Sequence, residues 1–242
     1  MSKYSTILRL SFLFILMIFF FCGCAMWDRF FSEEEMTPAE LMKEGIENYE
    51  KGYFESATKA FQKVKDRYPY SKYALEAELK MADSLYMRDL YNEAYDAYSE
   101  FEKLHPKNPK IPYVIYQRGM SQYSQVKSID RDQSHTIEAK EEFERLVKNF
   151  PKSEYTKKAA LKIRQCYIYL AKYELYVGHF YYKMEKYRTA VDRYRSLLKN
   201  YPDFGQYHEA LEYIYKSREK LAEESRKNDE SWWKSLTSPL FD

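Results

Sequence analysis

Few side chains in this 242-residue sequence have a type and spacing suited to covalent or metal chemistry. The histidines (His105, His135, His179, His208) never stand four apart on one helical face, and no paired-cysteine zinc spacing occurs. There is no glycine-rich phosphate loop and no nucleophile elbow. Cys166, among Ile163, Tyr167 and Leu170, reads as a buried helical thiol rather than a nucleophile. His105, directly before Pro106, reads as a cation at a helix C-terminus. Asp130-Arg131-Asp132 carries acids that could hold a cation, but the intervening arginine makes a salt-bridged loop the better reading. Neither catalysis nor a cofactor is expected. What abounds is tyrosine, 26 residues beside 15 phenylalanines. Tyrosine offers rigid apolar area and a hydroxyl, the chemistry of a surface that binds peptides.

Composition limits what can position those rings. Hydrophobic residues make up 45% of the chain, too many for disorder as a default. Six Gly and eight Pro are few for a β-rich fold, which needs turn residues at short intervals, so long helices are expected. The 39 Lys+Arg nearly balance 37 Asp+Glu. Lys3 and Arg9 fall in the leader described next, so residues 24–242 carry 37 of each. That neutrality excludes a general nucleic-acid binder.

The N-terminal 24 residues have a cationic start, an unbroken apolar run from Phe12 to Cys22, and then Gly23-Cys24. Eleven apolar residues are too few to cross a hydrocarbon core, which needs about 20 in helix, and they fit a secretory leader. Phe21-Cys22-Gly23-Cys24 resembles a bacterial lipobox, in which the last cysteine is lipidated and becomes the first residue. Phe21 stands where leucine is usual. The expectation is a signal peptide over 1–23, lipid on Cys24 and a tether over 24–37. Ala25, rather than Asp, after the cysteine points to the outer membrane, facing the periplasm. Only Cys166 then remains, which excludes a disulfide framework.

Internal repetition is the strongest pattern. Gly45, Tyr49, Ala57, Phe61 and Pro69 are followed by Ala82, Tyr86, Ala94, Tyr98 and Pro106, with a step of 37 from Ala57 to Ala94, Phe61 to Tyr98 and Pro69 to Pro106. A third copy has Gly119, Tyr123, Ala139, Phe143 and Pro151, its second half carried eight residues further by a polar insertion within Lys127–Thr136. A fourth has Gly178, Tyr182, Ala190, Tyr194 and Pro202, fourteen residues beyond the period. Fourteen residues are about four helical turns, so a longer first helix would keep its face in register. These markers resemble the tetratricopeptide repeat, a helix–turn–helix unit. The small residues allow close helix approach, the aromatic fills the space between helices, and the proline ends the second helix.

The expected fold is all-α: a right-handed superhelical α-solenoid of about five repeats over 38–228, in units 38–70, 71–107, 108–152, 153–203 and 204–228. An apolar tail with Trp232 and Trp233 would occupy 229–242. On a tetratricopeptide array, first-helix residues just after the small marker line the concave side. That places Ile46, Tyr49, Tyr86, Met120, Tyr123, His179 and Tyr182 along a peptide groove, with Met42 and Tyr116 one turn earlier. About half of them are expected to be accessible.

Further stretches are not required by a generic repeat. His105-Pro106-Lys107-Asn108-Pro109, Tyr116-Gln117-Arg118-Gly119, Asp130-Arg131-Asp132, Leu170-Ala171-Lys172-Tyr173-Glu174 and Ala190-Val191-Asp192-Arg193 resemble, in order, the BamD (ComL) family of outer-membrane assembly lipoproteins. The resemblance implies a part in the β-barrel assembly machinery. It implies binding to the POTRA region of BamA through the C-terminal repeats, and reception of unfolded outer-membrane proteins in an N-terminal groove. Arg193, with Tyr173 and Glu174, would face BamA, unless Arg193 instead closes an internal ion pair with Glu174 or Asp192. Asn108 departs from the family's HPxHP stretch. The rival reading is a repeat lipoprotein serving a secretin, as a pilotin, or peptidoglycan hydrolases.

Overall fold

A computed structural model describes residues 35–237, with side chains as far as Trp232. The expected leader over 1–23, Cys24, most of the expected tether and the last five residues lie outside the described residues. Nine α-helices follow in order among the described residues: α1 (Pro38–Glu50), α2 (Phe54–Arg67), α3 (Ala74–Met87), α4 (Tyr91–Leu104), α5 (Ile111–Tyr123), α6 (Ser134–Asn149), α7 (Glu154–Lys183), α8 (Tyr187–Asn200) and α9 (Tyr207–Thr237). There is no strand among them. Each helix packs on its neighbours in the chain, and the further contacts of substance are α5 with α7 and α7 with α9. Such nearest-neighbour packing defines an all-α solenoid of helical hairpins.

Local sequence explains the helix ends. Thr37 and Glu40 form a reciprocal capping box at α1, and Ser153 caps α7 by accepting from the Tyr155 amide. Helices α2, α4, α6 and α8 each stop two residues before a proline: Pro69, Pro106, Pro151 and Pro202. That proline cannot supply the amide a further turn needs. Between the helices of a hairpin the chain reverses through the left-handed region, at Gly52 (φ 79°), Asp89 (φ 60°) and Glu185 (φ 58°).

The marker residues meet as the repeat requires. A β-carbon on Gly119 would lie 2.5 Å from Phe143, and one on Gly45 or Gly178 would press as closely on Phe61 or Tyr194. These aromatics, with Ala57, Ala94, Ala139 and Ala190, are fully buried. Three clusters result: one around Phe61, one around Tyr98 and Phe143, and one around Tyr194. The 30-residue α7, about 45 Å long, joins the last two. Its Ala159 and Cys166 pack in the central cluster and its Leu175 and Tyr181 in the C-terminal one. The fourteen-residue excess is therefore helix, as the missing breakers require. The eight-residue insertion lies in the loop 124–133, its last residues already inside α6. The expected break at 228/229 is absent, since α9 runs through it to Thr237.

Candidate binding surfaces and their polar supports

Ile46, Tyr49, Tyr86, Tyr116, Met120 and Tyr123 are half-buried. Met42 is not a groove residue: at 3% exposure it packs with Leu41 and Phe61. Its equivalent in the third repeat, Tyr116, stays half-buried, so the difference lies in the N-terminal cluster that takes up the Met42 side chain. The tyrosines are partly occupied within the molecule. Tyr86 and Ser124 share a hydroxyl hydrogen bond of 2.9 Å, Tyr123 donates to Gln165 at 3.0 Å, and Tyr116 packs on Phe143 and Tyr155.

Two concavities lie elsewhere. Two adjoining cavities of about 600 and 500 Å³ share Lys110, Tyr113 and Tyr155. The second is floored by Leu75, Leu79 and Asp83, nearer the N-terminal ends of α3, α5 and α7 than the predicted line. Asp83 is buried and accepts hydrogen bonds from Tyr98 (2.7 Å) and Tyr113 (2.6 Å), while Gln117 donates to Tyr113 at 3.0 Å. Burial, then the Asp83 charge, pushes both phenols well above their ordinary value, so both stay protonated donors.

A second polar structure ties α4, α5 and α6 together. Arg118 reaches Glu102 and Glu142, each at 2.6 Å, and Arg145 reaches the same two acids at 2.6 Å. The Tyr95 ring lies 4.8 Å from the Arg118 guanidinium. Burial pushes the Glu102 carboxyl up, but hydrogen bonds from Arg145 and Arg118 outweigh it and hold it below the ordinary 4.5. Arg118 lies in the quoted Tyr116–Gly119 stretch, and the structure gives it a structural role there: it cross-braces two repeats.

The C-terminal half places Arg193 3.6 Å from Glu174, with the arginine 43% exposed and the acid 12%. The internal ion pair therefore forms while leaving the guanidinium face open, and Asp192 pairs instead with Arg195. Tyr173 is half-buried on the same helix. Other candidates resolve structurally. His105 bonds Glu78 at 2.9 Å. Cys166 is fully buried, its thiol pushed up to about 12 by burial, so it is no nucleophile. Arg131 makes no ion pair with its flanking aspartates. The loop is clasped instead by buried Gln133, which donates to the Ser128 and Arg131 carbonyls. No group of residues that could hold a metal ion occurs among the described residues.

The two halves also repeat each other at a distance of 96 residues. Asp83, Tyr98 and Tyr113 correspond to His179, Tyr194 and Glu209. His179 and Glu209 line a cavity of about 530 Å³, walled on one side by Ser128, Ile129 and Asp130 of the insertion loop. Here His179 Nε2 lies 3.5 Å from Glu209, and its ring packs on Tyr213 with centroids 4.3 Å apart and planes tilted by 49°. The Tyr194 hydroxyl, His179 Nε2 and Glu174 Oε2 are buried and accept or donate no hydrogen bond. The sequence conceals this duplication because the insertion and the longer α7 separate the copies by unequal steps.

Fold and surface define a helical-repeat scaffold whose buried polar groups brace helices and whose concave side is lined by tyrosines. The chain belongs to the outer membrane lipoprotein (YfiO) family, whose model matches residues 34–232. It is 33% identical over 163 residues to the outer membrane protein assembly factor BamD of Rickettsia prowazekii, covering 67% of this chain and 65% of that one. With the BamD of Caulobacter vibrioides it shares 28% identity over 178 residues, covering 73% and 58%. The chain thus spans less than two thirds of the length of either relative. The BamD of Neisseria gonorrhoeae is matched over 80% of this chain and 78% of its own, at 26% identity. Among solved structures, MamA overlaps 78% of this chain and 94% of its own at 18% identity and a TM-score of 0.39. That likeness is too low to define the fold, which rests on the helix pairing above.

Proposed function

We propose that this protein is a lipid-anchored adaptor of the outer-membrane β-barrel assembly machinery, held by Cys24 at the periplasmic face of the outer membrane. Family membership across residues 34–232 carries the reading, and the three relatives described are each named as assembly factors. The architecture suits the role. A solenoid braced by internal polar contacts presents a preformed concave surface, so binding an extended segment orders little of the scaffold.

In this reading the C-terminal repeats dock the POTRA region of BamA, with Arg193, Tyr173 and Glu174 in the contact. The exposed Arg193 guanidinium is available to a partner acid. The tyrosine-lined side of α1, α3 and α5 receives unfolded outer-membrane proteins, and its contact residues extend from Ile46, Tyr49, Tyr86, Tyr116, Met120 and Tyr123 to Leu75, Tyr113 and Tyr155. The chain works as a binding scaffold and not as an enzyme.

Depleting the protein in its source cell and quantifying heat-modifiable barrel proteins in the outer membrane tests the role. Their level is expected to fall and to recover with the wild-type chain, whereas unchanged barrel levels would overturn it. Cys24→Ala is expected to move the protein to the soluble periplasmic fraction. Its retention on membranes would place the anchor elsewhere.

A further inference from the structure

The two concave cavities occupy equivalent positions in the solenoid but carry different charges. Lys172, Leu175, Tyr176, His179 and Glu209 stand 96 residues beyond Glu76, Leu79, Lys80, Asp83 and Tyr113. The N-terminal cavity contains its own cation, since Lys80 Nζ lies 3.6 Å from Asp83. With Glu76 and Lys110, its lining holds two acids and two bases.

In the C-terminal cavity a tyrosine replaces that lysine. Its lining carries two acids, Asp130 from the insertion loop and Glu209 from α9, against one base, Lys172, while Arg131 and Lys183 lie nearby outside the lining. Burial and nearby Lys183 disfavour the charged form of His179, although Glu209 favours it, so the imidazole does not add a second positive charge to the lining. The Tyr176 ring is 47% exposed, and Ile129 and Leu175 add apolar wall. Behind the lining residue His179, its ring centroid 5.7 Å away, packs Tyr194, fully buried, whose hydroxyl has no hydrogen-bond partner. Its counterpart Tyr98 is satisfied by Asp83.

We infer that this cavity between the 124–133 loop, α7 and α9 takes a basic side chain from a partner protein, an arginine above a lysine, held between Asp130 and Glu209 against the Tyr176 ring. A guanidinium is planar, weakly hydrated and able to stack on an aromatic face while forking to carboxylates, which suits a pocket with one aromatic and two acidic walls. The unequal steps of the sequence acquire a common purpose. The insertion supplies Asp130, and the lengthened α7 carries Tyr176 and His179 to meet it. The inference rests on the adaptor reading only in that the occupant belongs to a protein.

The test uses the full chain in detergent and two probes, acetyl-Gly-Arg-Gly-amide and the same peptide with uncharged citrulline. Binding is followed by the imidazole resonances of His179, assigned by their loss in His179→Gln. The arginine peptide is expected to shift His179 saturably and to leave His105, in the other half, unmoved. The citrulline peptide should bind about tenfold more weakly, as should the arginine peptide on Asp130→Asn/Glu209→Gln. Equal response to citrulline, a preference for acetyl-Gly-Asp-Gly-amide, or no saturable shift would each overturn the inference. Because no natural partner is needed, such a failure would leave the adaptor role to be decided separately by the depletion experiment.

Discussion

The hairpin α3–α4 with α5 and the hairpin α7–α8 with α9 share one backbone plan but settle their buried polar groups differently. In the first, one carboxylate satisfies two tyrosines, and the Arg118–Glu142 brace stands beside it. In the second, histidine replaces the acid and glutamate the second tyrosine, and three buried polar atoms are left without hydrogen bonds. Unmet polar groups are expensive in a structural core and useful where a partner will arrive. Ser71 Oγ and Arg118 Nε are also unpartnered in the N-terminal and central repeats, but only in the C-terminal pair do such atoms belong to the groups at the equivalent polar centre, His179 and Tyr194.

Removing the central group of each half should separate them most. Asp83→Ala leaves the buried Tyr98 hydroxyl and the Tyr113 hydroxyl without an acceptor and should cost about 3 kcal/mol. His179→Ala removes the tilted ring contact with Tyr213 but orphans no buried group, and should cost about 1 kcal/mol. Urea unfolding of both variants checks the order, and equal losses would erase the distinction. Next in size is Gly178→Ala, whose methyl meets Tyr194 where Ala82 is tolerated beside Tyr98. Overpacking exceeds the gain in helix propensity, for a net loss of about 1–2 kcal/mol in melting experiments.

Acid distinguishes the halves without mutation. The folded chain holds the pKa of His179 below its ordinary 6.5, so the unfolded chain binds the proton more readily. That contribution to stability is present above pH 6.5 and is lost as pH falls toward the lowered folded value. Glu102 is also held low, so the brace keeps its contribution above pH 4.5 and loses it only below. Hydrogen exchange at about pH 5.5 should therefore quicken in α8 and α9 before α4 to α6, and uniform loosening would contradict this. The smallest effect is a gain. Glu185→Gly relieves a left-handed residue and should add about 0.5–1 kcal/mol. Asp89→Gly should add less, because Asp89 accepts a hydrogen bond from Tyr91.

Periodic small residues, aromatics and prolines make the hairpins legible, because each acts on a helix end or on the partner helix within its own repeat. The long α7 follows from the absence of breakers. The candidate surface is less legible. Repeat spacing puts Met42 in the groove rather than in the N-terminal cluster and gives no sign of Tyr113 and Tyr155. The depth of the groove depends on how α3, α5 and α7 splay, which no single repeat encodes. Asp83 meets Tyr113 across 30 residues and Arg145 meets Glu102 across 43. Such pairings are set by tertiary geometry, so Arg118 shows in sequence as a family motif while its bracing role stays hidden.

The assembly role stands or falls on what the tagged full-length chain captures from detergent-solubilised membranes, beside Arg193→Glu and Tyr113→Phe, with bound proteins identified by mass spectrometry. A POTRA-bearing outer-membrane barrel protein should be recovered, strongly diminished by Arg193→Glu and unchanged by Tyr113→Phe. Recovery of a secretin or a cell-wall hydrolase in its place, or equal capture by all three chains, would contradict that role.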